Sequence, residues 1–175
     1  MIKKTSKMTG ILFLLLSLSV IGVSAYVYQQ ATMSVQQTIV EIASIVLKNS
    51  DLGSINEGET QTYTTSEVAN LGDAISLTTT TSNVYLHLDS DLDSQSASYS
   101  TYNIVVKYAT VPGGSSAAPG STACTLTLAS PDFSSITLDI AGDWTFDLEV
   151  TTTASSVNSD TPTSVSITVS AESTS

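Results

Sequence analysis

The sequence predicts an all-β protein: one antiparallel β-sandwich of jelly-roll or immunoglobulin-like type with about nine strands, after an N-terminal signal peptide and an extended N-terminal strand. Three observations predict it. Apolar and polar residues alternate with period two in several segments. Ser and Thr make up 56 of 175 residues, and Thr with Val, Ile and Tyr favours strands while Ser and Asp favour turns. Turn-forming clusters recur at spacings of about ten residues, as in sandwiches, with no strong helical spacing after residue 50.

The chain opens with three of its five lysines, Lys3, Lys4 and Lys7. Ile11 to Val23 follows as an apolar run broken only by Ser17, Ser19 and Gly22, and Val23-Ser24-Ala25 has the side-chain sizes of a signal peptidase site. A basic start, a short apolar middle and a small-residue end read as a secretory signal peptide over residues 1–25. An uncleaved anchor needs about 20 apolar residues, and Tyr26 to Gln30 turns polar too soon. The predicted product is secreted or held at the cell surface, with no membrane contact once the signal is removed.

Residues 26–37 form an N-terminal extension, and residues 38–175 the sandwich. The stretch from Tyr26 to Leu47 reads two ways. Val35, Ile39, Ile42 and Val46 fall at the spacing of an amphipathic helix. Ala31, Met33 and Val35 alternate with Thr32 and Ser34, and Thr38 to Ile42 is β-branched, which suits two extended pieces joined at Gln36-Gln37.

Further strands are predicted at 38–47, 59–65, 74–80 and 135–140, separated by turns such as Asn56-Glu57-Gly58, Asn70-Leu71-Gly72-Asp73 and Ala141-Gly142-Asp143. The clearest alternation lies elsewhere. Val84, Leu86 and Leu88 share one face and Tyr85 and His87 the other; Tyr102, Ile104, Val106 and Tyr108 alternate with Asn103, Val105 and Lys107. Trp144, Phe146, Leu148 and Val150 oppose Thr145, Asp147, Glu149 and Thr151, and Val165, Ile167 and Val169 alternate with Ser and Thr. Val111 to Gly120, rich in Gly, Pro, Ser and Ala, is predicted to be an exposed connection. A 150-residue product can bury about 70% of its unfolded surface, so it needs no covalent staple.

Charge and composition exclude several functions. The chain carries 16 acids against five lysines and no arginine, a net charge of −11; a nucleic-acid binder neutralises phosphates with several cations, and this chain would repel them. Removing residues 1–25 leaves Lys48 and Lys107 against all 16 acids, a side-chain sum of −14. One cysteine and one histidine cannot supply a soft metal site. Cys124 shares a strand face with Leu126 and Leu128, which places it as a buried small hydrophobe.

Nothing marks a catalytic site. His87, the one available base, lies on the polar side of its strand, and no Gly-x-Ser-x-Gly elbow presents a serine. Asp147 and Glu149 read as the solvated side of a strand. Asp89, Asp91 and Asp93 have a spacing that can wrap oxygen ligands around Ca²⁺, yet Ser94 and Ser100 stand where a Ca²⁺ loop wants Gly and Glu, so a solubilising turn is the preferred reading. Tyr85, Tyr99, Tyr102 and Tyr108 suit either a ligand-binding strip or the edge of the core. No cofactor is implied. O-linked sugars on the Ser/Thr faces are compatible with the composition.

The run from Ala25-Tyr26-Val27-Tyr28 through a polar, β-branched stretch to Leu52-Gly53-Ser54-Ile55-Asn56-Glu57-Gly58-Glu59-Thr60, with the later Ala141-Gly142-Asp143-Trp144-Thr145-Phe146, resembles exported fibre-forming proteins, the TasA/camelysin-like biofilm-matrix subunits and the archaeal bundling pili. The resemblance implies a structural, non-enzymatic subunit that polymerises with copies of itself when the N-terminal strand of one completes the sheet of the next. Tyr26, Val27, Tyr28, Ala31, Met33 and Val35 would then form the subunit interface, with Ala31, Met33 and Val35 entering the neighbour's core. Two alternatives stand beside it: a type IV pilin-like subunit cleaved behind Gly10, with one long hydrophobic helix, and a secreted monomeric adhesion or carbohydrate-binding module.

Overall fold

The structure is a computed structural model and describes residues 42–155 and 163–173. The signal peptide, the extension with Tyr26, Val27, Tyr28, Ala31, Met33 and Val35, residues 38–41 of the first predicted sandwich strand and the turn at 159–162 lie outside the described residues.

Among the described residues there are nine strands in two antiparallel sheets, the sandwich that the alternation predicts. In chain order they are β1 (Ala43–Leu47), β2 (Thr60–Tyr63), β3 (Ile75–Thr79), β4 (Val84–Ser90), β5 (Tyr99–Thr110), β6 (Thr122–Thr127), β7 (Phe133–Leu138), β8 (Gly142–Ala154) and β9 (Ile167–Glu172). The large sheet has the order β1-β3-β8-β5-β6, and the small sheet the order β7-β4-β9. The 13-residue β8 takes two partners on one side: β3 pairs with its first half, Ile75 opposite Phe146, and β2 with its second, Tyr63 opposite Val150.

The period-two faces fill the space between the sheets. Val84, Leu86 and Leu88 from the small sheet and Ile104, Val106, Leu126, Trp144 and Phe146 from the large one are buried together. Trp144 is fully buried, donates from Nε1 to the Ile140 carbonyl at 3.1 Å, and lies 6.0 Å from the Tyr108 ring. Cys124 is buried on the core face of β6, as its alternation predicts, and burial pushes its thiol up to about 12.

Of the strand boundaries that differ from the sequence reading, the starts of β7 and β9 have reasons visible in the backbone. Strand β7 begins at Phe133, two residues early, because Phe133 pairs with Leu88 beyond an irregularity in the β4 ladder. Strand β9 begins only at Ile167, because Ser166 gives its N–H to Asp91 Oδ1 at 2.8 Å and accepts the Asp91 N–H at 3.3 Å.

The connection from Val111 to Gly120 is tethered as well as exposed. Asp139 accepts from Ser115 Oγ and from the Ser116 N–H, each at 2.7 Å, and these bonds hold its carboxyl down to about 2. Pro112 of the same segment sits against Gly142, whose φ is +142°; a Cβ there would lie 3.1 Å from Pro112 Cγ. Gly142→Ala is therefore expected to cost about 1–3 kcal/mol through combined backbone strain and overpacking. A urea midpoint equal to that of the unaltered protein would contradict this.

Candidate functional site

The two sheets are unequal in width. Among the described residues the large sheet is five strands wide through β3 and four through β2, against three strands in the small sheet. On one side the sheets meet: the turn between β6 and β7, with the Thr127 N–H bonded to the Ser130 carbonyl at 2.9 Å, carries the chain directly from one layer to the other. The mismatch therefore falls on the other side, beside β9. At about 4.8 Å per strand, the uncovered width is roughly 5–10 Å, or one to two strands.

A cleft of about 1050 Å³ occupies this place. Its floor is the inner face of the large sheet: Tyr99, Tyr102 and Ile104 from β5, and Leu148, Val150 and Ala154 from β8. One wall is Val165 with Ile167 and Val169 of β9, and another is the segment from Leu47 to Ile55, with Leu71, Ala74 and Ile75 closing one end. The floor is thus the continuation of the core, while Lys48, Asp51, Glu57 and Thr163 add polar groups to the lining. Pockets for drug-sized ligands hold about 300–1,000 Å³, and this cleft is slightly larger.

Among the described residues β9 pairs on one side only, with β4, from Glu172 opposite Tyr85 to Ile167 opposite Ser90. Its start is fixed by the Asp91 bonds to Ser166, by Gln95 Nε2 donating to the Ser164 carbonyl at 3.2 Å, and by the Tyr99 and Thr163 hydroxyls 2.8 Å apart. The strand is thus held from behind and at its beginning, while its cleft side has no strand partner among the described residues. Such an edge is a template for another strand.

The predicted chemical groups fall in separate places. Asp91 is engaged with the Ser166 N–H, Asp93 accepts the Ser94 N–H at 2.9 Å, and Asp89 is exposed on β4. Among the described residues no three His, Cys, Asp or Glu side chains stand together as a metal site. The tyrosines divide likewise. Tyr99 and Tyr102 meet edge to face with centroids 5.0 Å apart on the cleft floor, Tyr108 packs on Phe146 at 5.2 Å, and Tyr85 lies on the outer face of the small sheet. Burial foremost, with Tyr99, Tyr63 and Asp91 nearby, pushes the Tyr102 phenol up to about 12.

His87 is turned outward, but its Nε2 is shielded and lies 3.8 Å from Glu172 Oε2, without a hydrogen bond among the described residues. The face of Asp147 and Glu149 is more organised than a solvated side: Asp147 accepts the Asp73 N–H at 2.8 Å, and Glu149 pairs with Lys107 at 2.7 Å.

The sequence reading does not identify the cleft, the free edge of β9 or the role of residues 48–59. The one signal for the last is Leu52 and Ile55, two aliphatic residues in an otherwise polar connection. The fold and cleft define a class, an all-β sandwich whose small sheet is narrower than its large one among the described residues. Comparison of the sequence with protein-family models and with curated proteins finds no match.

Proposed function

We propose that this chain is a structural, non-enzymatic subunit of an extracellular or cell-surface filament, in which residues 26–35 of one copy add as a strand to the small sheet of the next. The observation that carries the reading is the cleft beside β9: a gap one to two strands wide with a floor of core residues, bounded by a strand edge without a partner among the described residues. Main-chain bonds to β9 would supply affinity, and alternate side chains would fill the cleft.

The dimensions support this occupant. A six-residue partner for β9 spans about 20 Å and directs three side chains to one face. Residues 30–35 supply Ala31, Met33 and Val35 at that spacing. Charge supports it too. The stretch from Tyr26 to Val35 contains no charged residue, whereas the chain after residue 25 sums to −14. An uncharged apolar strand can join two such bodies without burying an acid against another.

The test is removal of residues 26–35 from the secreted protein, followed by electron microscopy under conditions where the unaltered protein assembles. Loss of filaments with the sandwich intact by circular dichroism is expected; filaments of normal length would refute the reading. Sequencing the mature N-terminus addresses the export step, with Tyr26 expected and Ile11 pointing to a pilin-like subunit.

A further inference from the structure

We propose that the connection between β1 and β2, residues 48–59, is a placeholder strap that shields the cleft until an incoming strand displaces it; this rests on the strand-donation reading above. The strap lines the cleft without interruption from Lys48 to Ile55. It is secured at its two ends. The Lys48 N–H donates to the Ala74 carbonyl at 2.9 Å and Lys48 Nζ to the Gly72 carbonyl at 2.8 Å, while at the far end the Gly58 N–H donates to the Ala154 carbonyl at 3.1 Å.

Asn70 Nδ2 also donates to the Asn49 carbonyl at 2.9 Å; from residue 50 to residue 57 the strap has no hydrogen bond to either sheet among the described residues. The hydrogen bonds of residues 50–57 stay local: the Gly53 N–H to Asp51 Oδ1 at 2.9 Å, and the Asn56 N–H and Nδ2 to Glu59 Oε2 at 3.3 and 2.8 Å. The Glu59 N–H returns to the Asn56 carbonyl at 3.0 Å. What holds the middle is apolar contact. Leu52 packs against the core cluster, and Ile55 is half-buried in the cleft lining. Gly53 and Gly58 have φ of +74° and +70° with nothing within 4 Å of where a Cβ would be, so both bends stand in open space.

This construction makes the strap easy to replace. Leu52 and Ile55 border the apolar floor without using the edge of β9. A strand laid along β9 supplies side chains for the same floor and also main-chain hydrogen bonds that the strap does not make, so exchange favours the strand. Segments held by few buried contacts and local hydrogen bonds also open at the lowest free energy. Leu52 and Ile55 thus stand in for part of what Ala31, Met33 and Val35 of the next copy supply, and reduce the apolar surface that a free subunit exposes.

The test uses the secreted protein carrying Met33→Asp, which disables donation but retains the cleft, and a synthetic peptide of residues 26–37. Hydrogen exchange is followed with and without peptide, and affinity is compared after Leu52→Ser with Ile55→Ser. The expected result is added protection over 167–172, faster exchange over 50–57, and about tenfold tighter peptide binding by the double variant, because two half-buried aliphatic side chains no longer compete. Protection of 167–172 with 50–57 unchanged and no gain in affinity would overturn the strap while leaving strand donation standing. A peptide that protects neither segment would overturn both. The exchange measurement keeps the strap unaltered, so it decides the question even where the double variant folds poorly.

Discussion

Truncating Trp144 to alanine is expected to remove about 3–5 kcal/mol of stability, a large share of the 5–15 kcal/mol that holds a typical domain together. Trp144 is fully buried on β8, where Leu77 of β3 lies opposite it, and Tyr108 of β5 packs at 6.0 Å. Three strands of the large sheet therefore lose packing at once, and the cavity opens where the layer has least freedom to collapse. Trp144→Phe retains the apolar bulk and loses the bond from Nε1 to the Ile140 carbonyl, which on its own is worth about 1 kcal/mol. Urea denaturation followed by far-ultraviolet circular dichroism measures both. A midpoint shift for the alanine variant no larger than that for phenylalanine would show that Trp144 is not the centre of the core.

The Met33→Asp substitution is expected to abolish assembly while leaving the sandwich folded. The aspartate removes an apolar side chain worth about 1.5–3 kcal/mol on burial and would carry a carboxylate against the apolar floor of the cleft, a further cost of about 1–3 kcal/mol. Each junction should weaken by more than about a hundredfold, since every 1.4 kcal/mol is a factor of ten. A subunit that accepts a strand but cannot donate one terminates a growing end. Small amounts mixed with unaltered protein should therefore shorten its filaments, a result that simple loss of folding would not give. Filament lengths unaffected by the mixture, measured by electron microscopy, would count against strand donation.

The strands were legible wherever one face is buried and the other polar. Val84, Leu86 and Leu88 read correctly because each alternate side chain meets the core while Tyr85 and His87 do not, and Cys124 and Leu126 read correctly for the same reason. Asp139 and Asp147 were not legible as anchors. Their partners, Ser115, Ser116 and the Asp73 N–H, are brought to them by chain folding across 23 to 74 positions. The Tyr99 and Tyr102 contact could not be separated from Tyr108 and Tyr85 by spacing alone, because β5 is long enough to end over different parts of the core. Strap residues Leu52 and Ile55 have neither strand nor helix periodicity, so pattern gives them no place.

By itself the sequence determined an all-β chain, the inward face of most of its strands, a strongly acidic surface and an alternating, uncharged stretch from Tyr26 to Val35. These follow from local chemistry, since side chains alternate every second residue whichever strand lies alongside. Only the tertiary structure decided that β8 would sit between β3 and β5, that β9 would pair with β4 alone among the described residues, and that three strands would face a sheet four or five strands wide. Pairing order depends on which distant segments meet, and the width of each layer on the sum of those choices. No single segment encodes the cleft, which is the difference between two sheets.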